Sequence, residues 1–181
     1  MTDTTIVAGN VQVPTARSAF AWSVVIAGAL AAWAVAFVFI SLGSGIGFAI
    51  SSPYSGPSAS TMTITGAIWL IFSETAAFSV GGYLAARLRI RDHIPGHETK
   101  FRDAAHGFMA WVVGVGMMTA VVLAAAILAP HASTGTPTVV DADAARAAAA
   151  YISFWSFMAL LFSAVAATLA GILGGELRDE L

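Results

Sequence analysis

Three stretches of this chain contain no Asp, Glu, Lys or Arg: Arg17 to Glu74, Asp103 to Asp141, and Arg146 to Glu176. A helix needs roughly 20 consecutive apolar residues to cross the hydrocarbon core of a bilayer. The first stretch is long enough for two crossings, the second of them containing Glu74, and each of the others for one. With 58% hydrophobic and 10% charged residues, the composition excludes an ordinary soluble domain. The apolar runs are continuous rather than alternating. Because lipid forces backbone groups to be satisfied within each segment, they read as helices and not as barrel strands.

The expected fold class is therefore all-α, an integral membrane bundle of four transmembrane helices. The spans cover residues 18–42, 63–86, 104–128 and 147–174. They are preceded by a cytoplasmic segment, 1–17, and followed by a cytoplasmic tail, 176–181. The first apolar run, at about 24 residues, exceeds the core of a signal peptide and three more follow it, so it reads as a retained span.

Arg87, Arg89, Arg91, Lys100 and Arg102 all fall in segment 87–103 between the second and third spans. Basic loops stay on the cytoplasmic side, which places this loop and both termini there. The two other connections carry no Lys or Arg up to Asp141. Arg146 departs from this pattern, and Asp143, three residues earlier, is positioned to pair with it on one helical turn. From Ala142 to Ala150 the residues are strong helix formers, so the fourth helix is expected to project beyond the bilayer. Gly43, Gly45 and Gly47 open a Gly-, Ser- and Pro-rich connection that reads either as a loop or as a helix continuing to about Ile50. The net charge of −2 argues against a nucleic-acid partner.

Small residues recur at four-residue spacing: Gly28 with Ala32, Ala32 with Ala36, Ala110 with Gly114, Ala167 with Gly171, and Gly171 with Gly175. Such pairs let helix backbones approach in lipid, either within the chain or between copies in a homo-oligomer. Trp22 fits an interfacial anchor, whereas Trp33 lies too deep for that role and needs a partner for its indole N–H. Shifting the second span by 90 residues places Phe72-Ser73 on Phe162-Ser163, Ala76-Ala77 on Ala166-Ala167 and Gly81 on Gly171. The first and third spans share an Ala-Trp pair, Ala21-Trp22 and Ala110-Trp111. These matches suggest a 2+2 internal repeat with parallel halves.

Glu74 is the one charged residue inside any of the four spans. A carboxyl at bilayer depth is costly, which makes it a functional hypothesis by default. It reads either as a protonated acid hydrogen-bonded across the bundle or as the centre of a proton- or cation-coupled pathway. Trp33 and Ser163 lie at similar depth, and Ser73 and Thr75 flank it. A second cluster, His93, His97, Asp103 and His106, stands in or beside the basic segment. It reads as a solvated loop or, less economically, as a Zn²⁺ site built from the three histidines and a carboxylate.

Other chemistry is absent from the sequence. There is no P-loop and no dinucleotide fingerprint. No cysteine is available for a disulfide, a thiolate ligand or a nucleophile, and no histidine falls deep inside a span. No cofactor is expected, and the chain does not read as an enzyme.

The segments Trp22 through Gly28, Leu42-Gly43-Ser44-Gly45-Ile46-Gly47, Gly81-Gly82-Tyr83-Leu84-Ala85-Ala86-Arg87-Leu88 and His106-Gly107 followed by Trp111 together resemble a family. These are small inner-membrane proteins of alphaproteobacteria, often labelled PhnA-like. The resemblance implies four helices in a bacterial inner membrane and carries no established activity. Phosphonate chemistry does not follow from the label, since no residue set here resembles a catalytic site for it. The expectation is a structural, accessory or partner-binding bundle, in contact with the lipid bilayer and assembling with itself or a membrane-protein partner. A small transporter or proton pathway using Glu74 is the alternative.

Overall fold

A computed structural model describes residues 21–50, 59–90, 96–128 and 142–180. They form four helices: α1 (Trp22–Ile50), α2 (Ala59–Arg87), α3 (Gly96–Leu128) and α4 (Ala142–Asp179). Each is long and apolar enough to cross a membrane. At 1.5 Å per residue they run roughly 44 to 57 Å, longer than the roughly 30 Å hydrocarbon core.

Every helix outlasts its expected span at one end or both. α1 continues through Gly43, Gly45 and Gly47 to Ile50, which decides between the two readings of that segment in favour of helix. α3 starts at Gly96, so residues 96–103, expected as loop, form its first two turns, with Glu98 in the first. An acidic residue there complements the partial positive charge of a helix start. α4 begins at Ala142, as its helix formers predict, and runs through the expected tail to Asp179 with Arg178 in its last turn. The Arg146 guanidinium donates to the Asp143 carboxylate at 3.1 Å, the pairing that the spacing predicts.

α1 and α2 are antiparallel: Gly28 meets Gly81 near one end, and Gly43 lies under the Trp69 ring towards the other. α3 runs parallel to α1, with the Ala21 N–H on His106 and the Trp33 indole N–H on the Gly114 carbonyl. α4 returns antiparallel to α3, placing Ser163 by Trp111, Gly171 by Gly107 and Gly175 by Asp103. α2 and α3 touch every other helix, α2 packs most extensively on α4, and α1 and α4 do not meet.

The crossings rest on small residues. A Cβ at Gly82 or Gly107 would overlap the Ala167 carbonyl oxygen, and one at Gly174 the Tyr83 carbonyl. No described glycine has positive φ, so these glycines serve close approach and not an unusual backbone. In lipid, where apolar side chains gain little by leaving one helix surface for another, this contact between backbones is what holds the bundle. Gly28, Ala110, Ala167, Gly171 and Gly175 from the four-residue pairs all contribute within the chain.

Backbone-to-backbone packing lies in one half; in the other, α1 and α2 still meet where Gly43 lies under the Trp69 ring and the Trp69 indole N–H donates to the Phe39 carbonyl at 3.1 Å. The last buried residue of α1 is Ala36 and that of α3 is Gly114, while the first described buried residue of α4 is Ala159. Beyond that level, residues 119–128 of α3 and 145–150 of α4 are exposed throughout. The packed half is the one next to the basic segment.

Candidate functional site

The end of α2, α3 and α4 converge at the packed end on Asp103, which is 2% exposed. Arg89, just past the end of α2, donates from Nε to Asp103 Oδ1 at 3.0 Å. Arg178 of α4 donates from Nη1 to Oδ1 and from Nη2 to Oδ2, each at 3.1 Å. Its Nη1 also donates at 2.9 Å to the Ala86 carbonyl near the α2 C-terminus, which accepts the Arg89 backbone N–H as well, at 3.2 Å. The bidentate fork is the geometry in which arginine binds carboxylate best. Nearby, Lys100 and Glu176 pair at 2.7 Å on the surface, a contact worth little because water screens it.

One turn further along α3, His106 is buried and both of its ring nitrogens are engaged. Nε2 receives the Ala21 N–H at 3.1 Å, and Nδ1 lies 2.7 Å from the Arg102 carbonyl. An N–H can only donate and a carbonyl can only accept, so the ring is the neutral tautomer carrying its proton on Nδ1. It joins the residue preceding α1 to α3.

The geometry gives Asp103 and His106 partners within the chain. Asp103 is held by two arginines and His106 has no lone pair to spare, while His97 is exposed and His93 lies outside the described residues. Among the described residues no three His, Asp or Glu side chains are grouped to hold a metal ion. Asp103 and His106 do share a buried face of α3, as their spacing implies.

Between the packed end and the middle of the bundle lies a closed core. The Phe78 ring fills the notch over Gly114, and Ala32, Phe78 and Ala167 form a buried cluster with Trp111 and Val115 against it. Trp111 donates its indole N–H to Ser163 Oγ at 3.0 Å, and Ser163 donates to the Leu160 carbonyl at 3.1 Å.

Glu74 comes one helical turn beyond Phe78, where this core ends. It is half-buried and borders two cavities. One, of about 210 Å³, lies against α3 and α4 beside Met118, Thr119 and Ser156. The other, of about 400 Å³, lies between α1 and α2 beside Gly43, Gly47, Gly66 and Ser73. Of the groups expected to meet the carboxyl, Trp33 donates to Gly114 and Ser163 is engaged by Trp111. Neither bonds to Glu74, because each finds a nearer partner on the packed side of Phe78. Among the described residues Glu74 has no hydrogen-bond partner at all. Ser73 Oγ, Thr75 Oγ1 and Tyr151 OH, also outside the packed half, are buried without one. At the packed end Arg87 Nη1 is likewise buried without a partner.

Sequence reasoning found Glu74 by its isolation but missed the Arg89–Asp103–Arg178 cluster and the His106 contact with Ala21. The cluster left a faint signal, a lone carboxylate at the mouth of an apolar run with arginines ending the other helices. No family model, no curated protein and no solved structure matches this chain.

Proposed function

We propose that this multi-pass protein is a non-enzymatic accessory bundle that binds a partner within the membrane. One observation carries the reading: beyond Phe78, Ser73 Oγ and Thr75 Oγ1 are buried without a hydrogen-bond partner, and the half-buried Glu74 between them has none among the described residues. In lipid such groups cost several kcal/mol each unless something satisfies them. The chain satisfies Asp103, His106, Trp33 and Trp111 from within itself. Among the described residues none does the same for Glu74, which supports a partner that supplies it from outside the chain.

The bundle is further read as lying in a bacterial inner membrane with both termini cytoplasmic. Arg87, Arg89, Lys100, Arg102 and Arg178 gather at one end, and at the other Arg146 is neutralised by Asp143. A 2+2 repeat is supported by the glycine crossings, Gly28 against Gly81 in the first helix pair and Gly107 against Gly171 in the second. The residues that carry the PhnA-like resemblance include Gly81, Gly82, His106, Gly107 and Trp111. These build the packed half, while Leu42 to Gly47, which also carry the resemblance, lie in the other half along the cavity between α1 and α2 beside Glu74.

A second reading, a proton- or cation-coupled pathway, is favoured by one feature: the Glu74 carboxyl reaches two cavities on different faces of α2. Proteoliposomes carrying a pH gradient separate the two. The partner-binding reading expects wild type and Glu74→Gln to leak protons and monovalent cations equally. A flux present in wild type and lost in Glu74→Gln replaces it with the transport reading.

A further inference from the structure

The glycines of this chain fall into two groups. Gly28, Gly81, Gly82, Gly107, Gly171 and Gly174 each abut backbone of another helix. At Gly47 and Gly66 an added Cβ would meet nothing within 4 Å among the described residues. Both line the 400 Å³ groove between the far halves of α1 and α2, with Ser73 and Glu74 in the same lining. Glycine is a poor helix former, and the chain's own packing does not require it at these two places. Where membrane helices meet, small residues are the ones that let a second backbone come close.

Two polar groups state what that second backbone must bring. Ser73 Oγ faces this groove, its residue 2% exposed, with no hydrogen-bond partner. Glu74 beside it is an acid without a counter-ion. A second copy of this chain has no Lys or Arg in any of its four apolar spans, so it cannot supply one at that depth. Charges inside a membrane are stabilised by opposite charges on a neighbouring helix.

We propose that the groove between α1 and α2 receives one transmembrane helix of a different protein, which carries a lysine or arginine at mid-membrane to pair with Glu74. The backbone of that helix passes over Gly47 and Gly66, and its cationic head lies between Glu74 and Ser73 Oγ. The proposal rests on the partner-binding reading and adds the site and the chemistry of the partner.

The test uses the full-length protein, donor-labelled in phosphatidylcholine vesicles, and an acceptor-labelled synthetic helix of about 22 Leu and Ala residues with one central lysine. Energy transfer is expected to show saturable association. It should weaken by about ten-fold or more when the lysine is replaced by leucine, in Glu74→Gln, and in Gly66→Leu. Gly66→Leu fills only open space in the chain, so its thermal unfolding should match wild type and show that the bundle is intact. Association indifferent to the lysine or to Glu74→Gln overturns the charge pair. Energy transfer between two labelled copies that is lost in Gly66→Leu assigns the groove to self-association instead, and saturable tetraphenylphosphonium binding that excludes the peptide makes it a small-cation pocket. A photo-crosslinking residue at Gly47 in cells separates this inference from the reading beneath it. Adducts that vanish in Gly66→Leu while the peptide fails to bind overturn the cationic helix alone, and the absence of adducts together with a failed peptide overturns both.

Discussion

The two halves of this bundle are made of the same four helices and obey opposite rules. Next to the basic segment, helices touch backbone to backbone through Gly28, Gly81, Gly82 and Gly107, and Asp103 is held by two arginines. Beyond Phe78 a Cβ added at Gly47 or Gly66 would meet open space, and the carboxyl of Glu74 has no hydrogen bond to any described residue. Apolar composition does not decide where the bundle closes, since residues 120–128 of α3 are all apolar and are exposed. What separates the halves is whether a small residue on one helix finds a small residue at the same level on its neighbour. In lipid that match decides where a bundle closes.

The contrast can be broken most severely at Asp103. Removing its carboxylate in Asp103→Ala takes the shared counter-ion from the buried Arg89 and from Arg178, which keeps Asp179 and the Ala86 carbonyl, and breaking one side of a buried ion cluster costs about 3–5 kcal/mol. Unfolding in detergent micelles should show a loss of that size, and a loss below about 1 kcal/mol would mean the cluster is solvated and the packed end is not closed.

Glycine provides a matched pair. Gly107→Ala puts a methyl into the Ala167 carbonyl and forces α3 and α4 apart, at about 1–3 kcal/mol. Gly116→Ala, two turns further along α3, meets open space and should leave stability unchanged or raise it by up to about 1 kcal/mol through helix propensity. Equal effects at the two sites would erase the distinction between the halves.

Trp111→Phe should have a smaller effect than Asp103→Ala. It removes the hydrogen bond to Ser163 but keeps most of the ring, and Ser163 still donates to Leu160. Interhelical side-chain bonds in membranes average about 0.6 kcal/mol, so a loss near that value is expected in the same unfolding assay. A loss several-fold larger would mark the Trp111–Ser163 contact as the seal between the closed core and the cavities at Glu74.

Helix number, helix class and the isolation of Glu74 were legible in the residues, because each depends on the local density of apolar and charged groups. The Asp143–Arg146 pair and the early start of α4 were legible for the same reason, being contacts within one or two turns. Helix ends were less so: the first two turns of α3 and the last of α4 look like polar loop until Asp103, Glu176 and Arg178 are seen to be partners across helices. The site was half legible. Glu74 was visible as an anomaly, but the hydrogen-bond partners suggested for it by depth, Trp33 and Ser163, are both taken by α3. Depth along a helix says nothing about which way a side chain faces.

The sequence by itself determined four helices, each long and apolar enough to cross a membrane, since apolar runs of that length with at most one charge satisfy their backbone in lipid only as helices. Only the tertiary structure decided that Asp103 beside the basic segment is held by Arg89 and Arg178 and that His106 joins Ala21 to the Arg102 carbonyl. It also decided that the small-residue pairs close one half of the bundle, and that Glu74 stands just beyond the seal. The reason is the same in each case. A residue's partner across a helix interface depends on the rotation and offset of two helices relative to each other, and those are set by contacts between residues 14 to 92 positions apart in the chain.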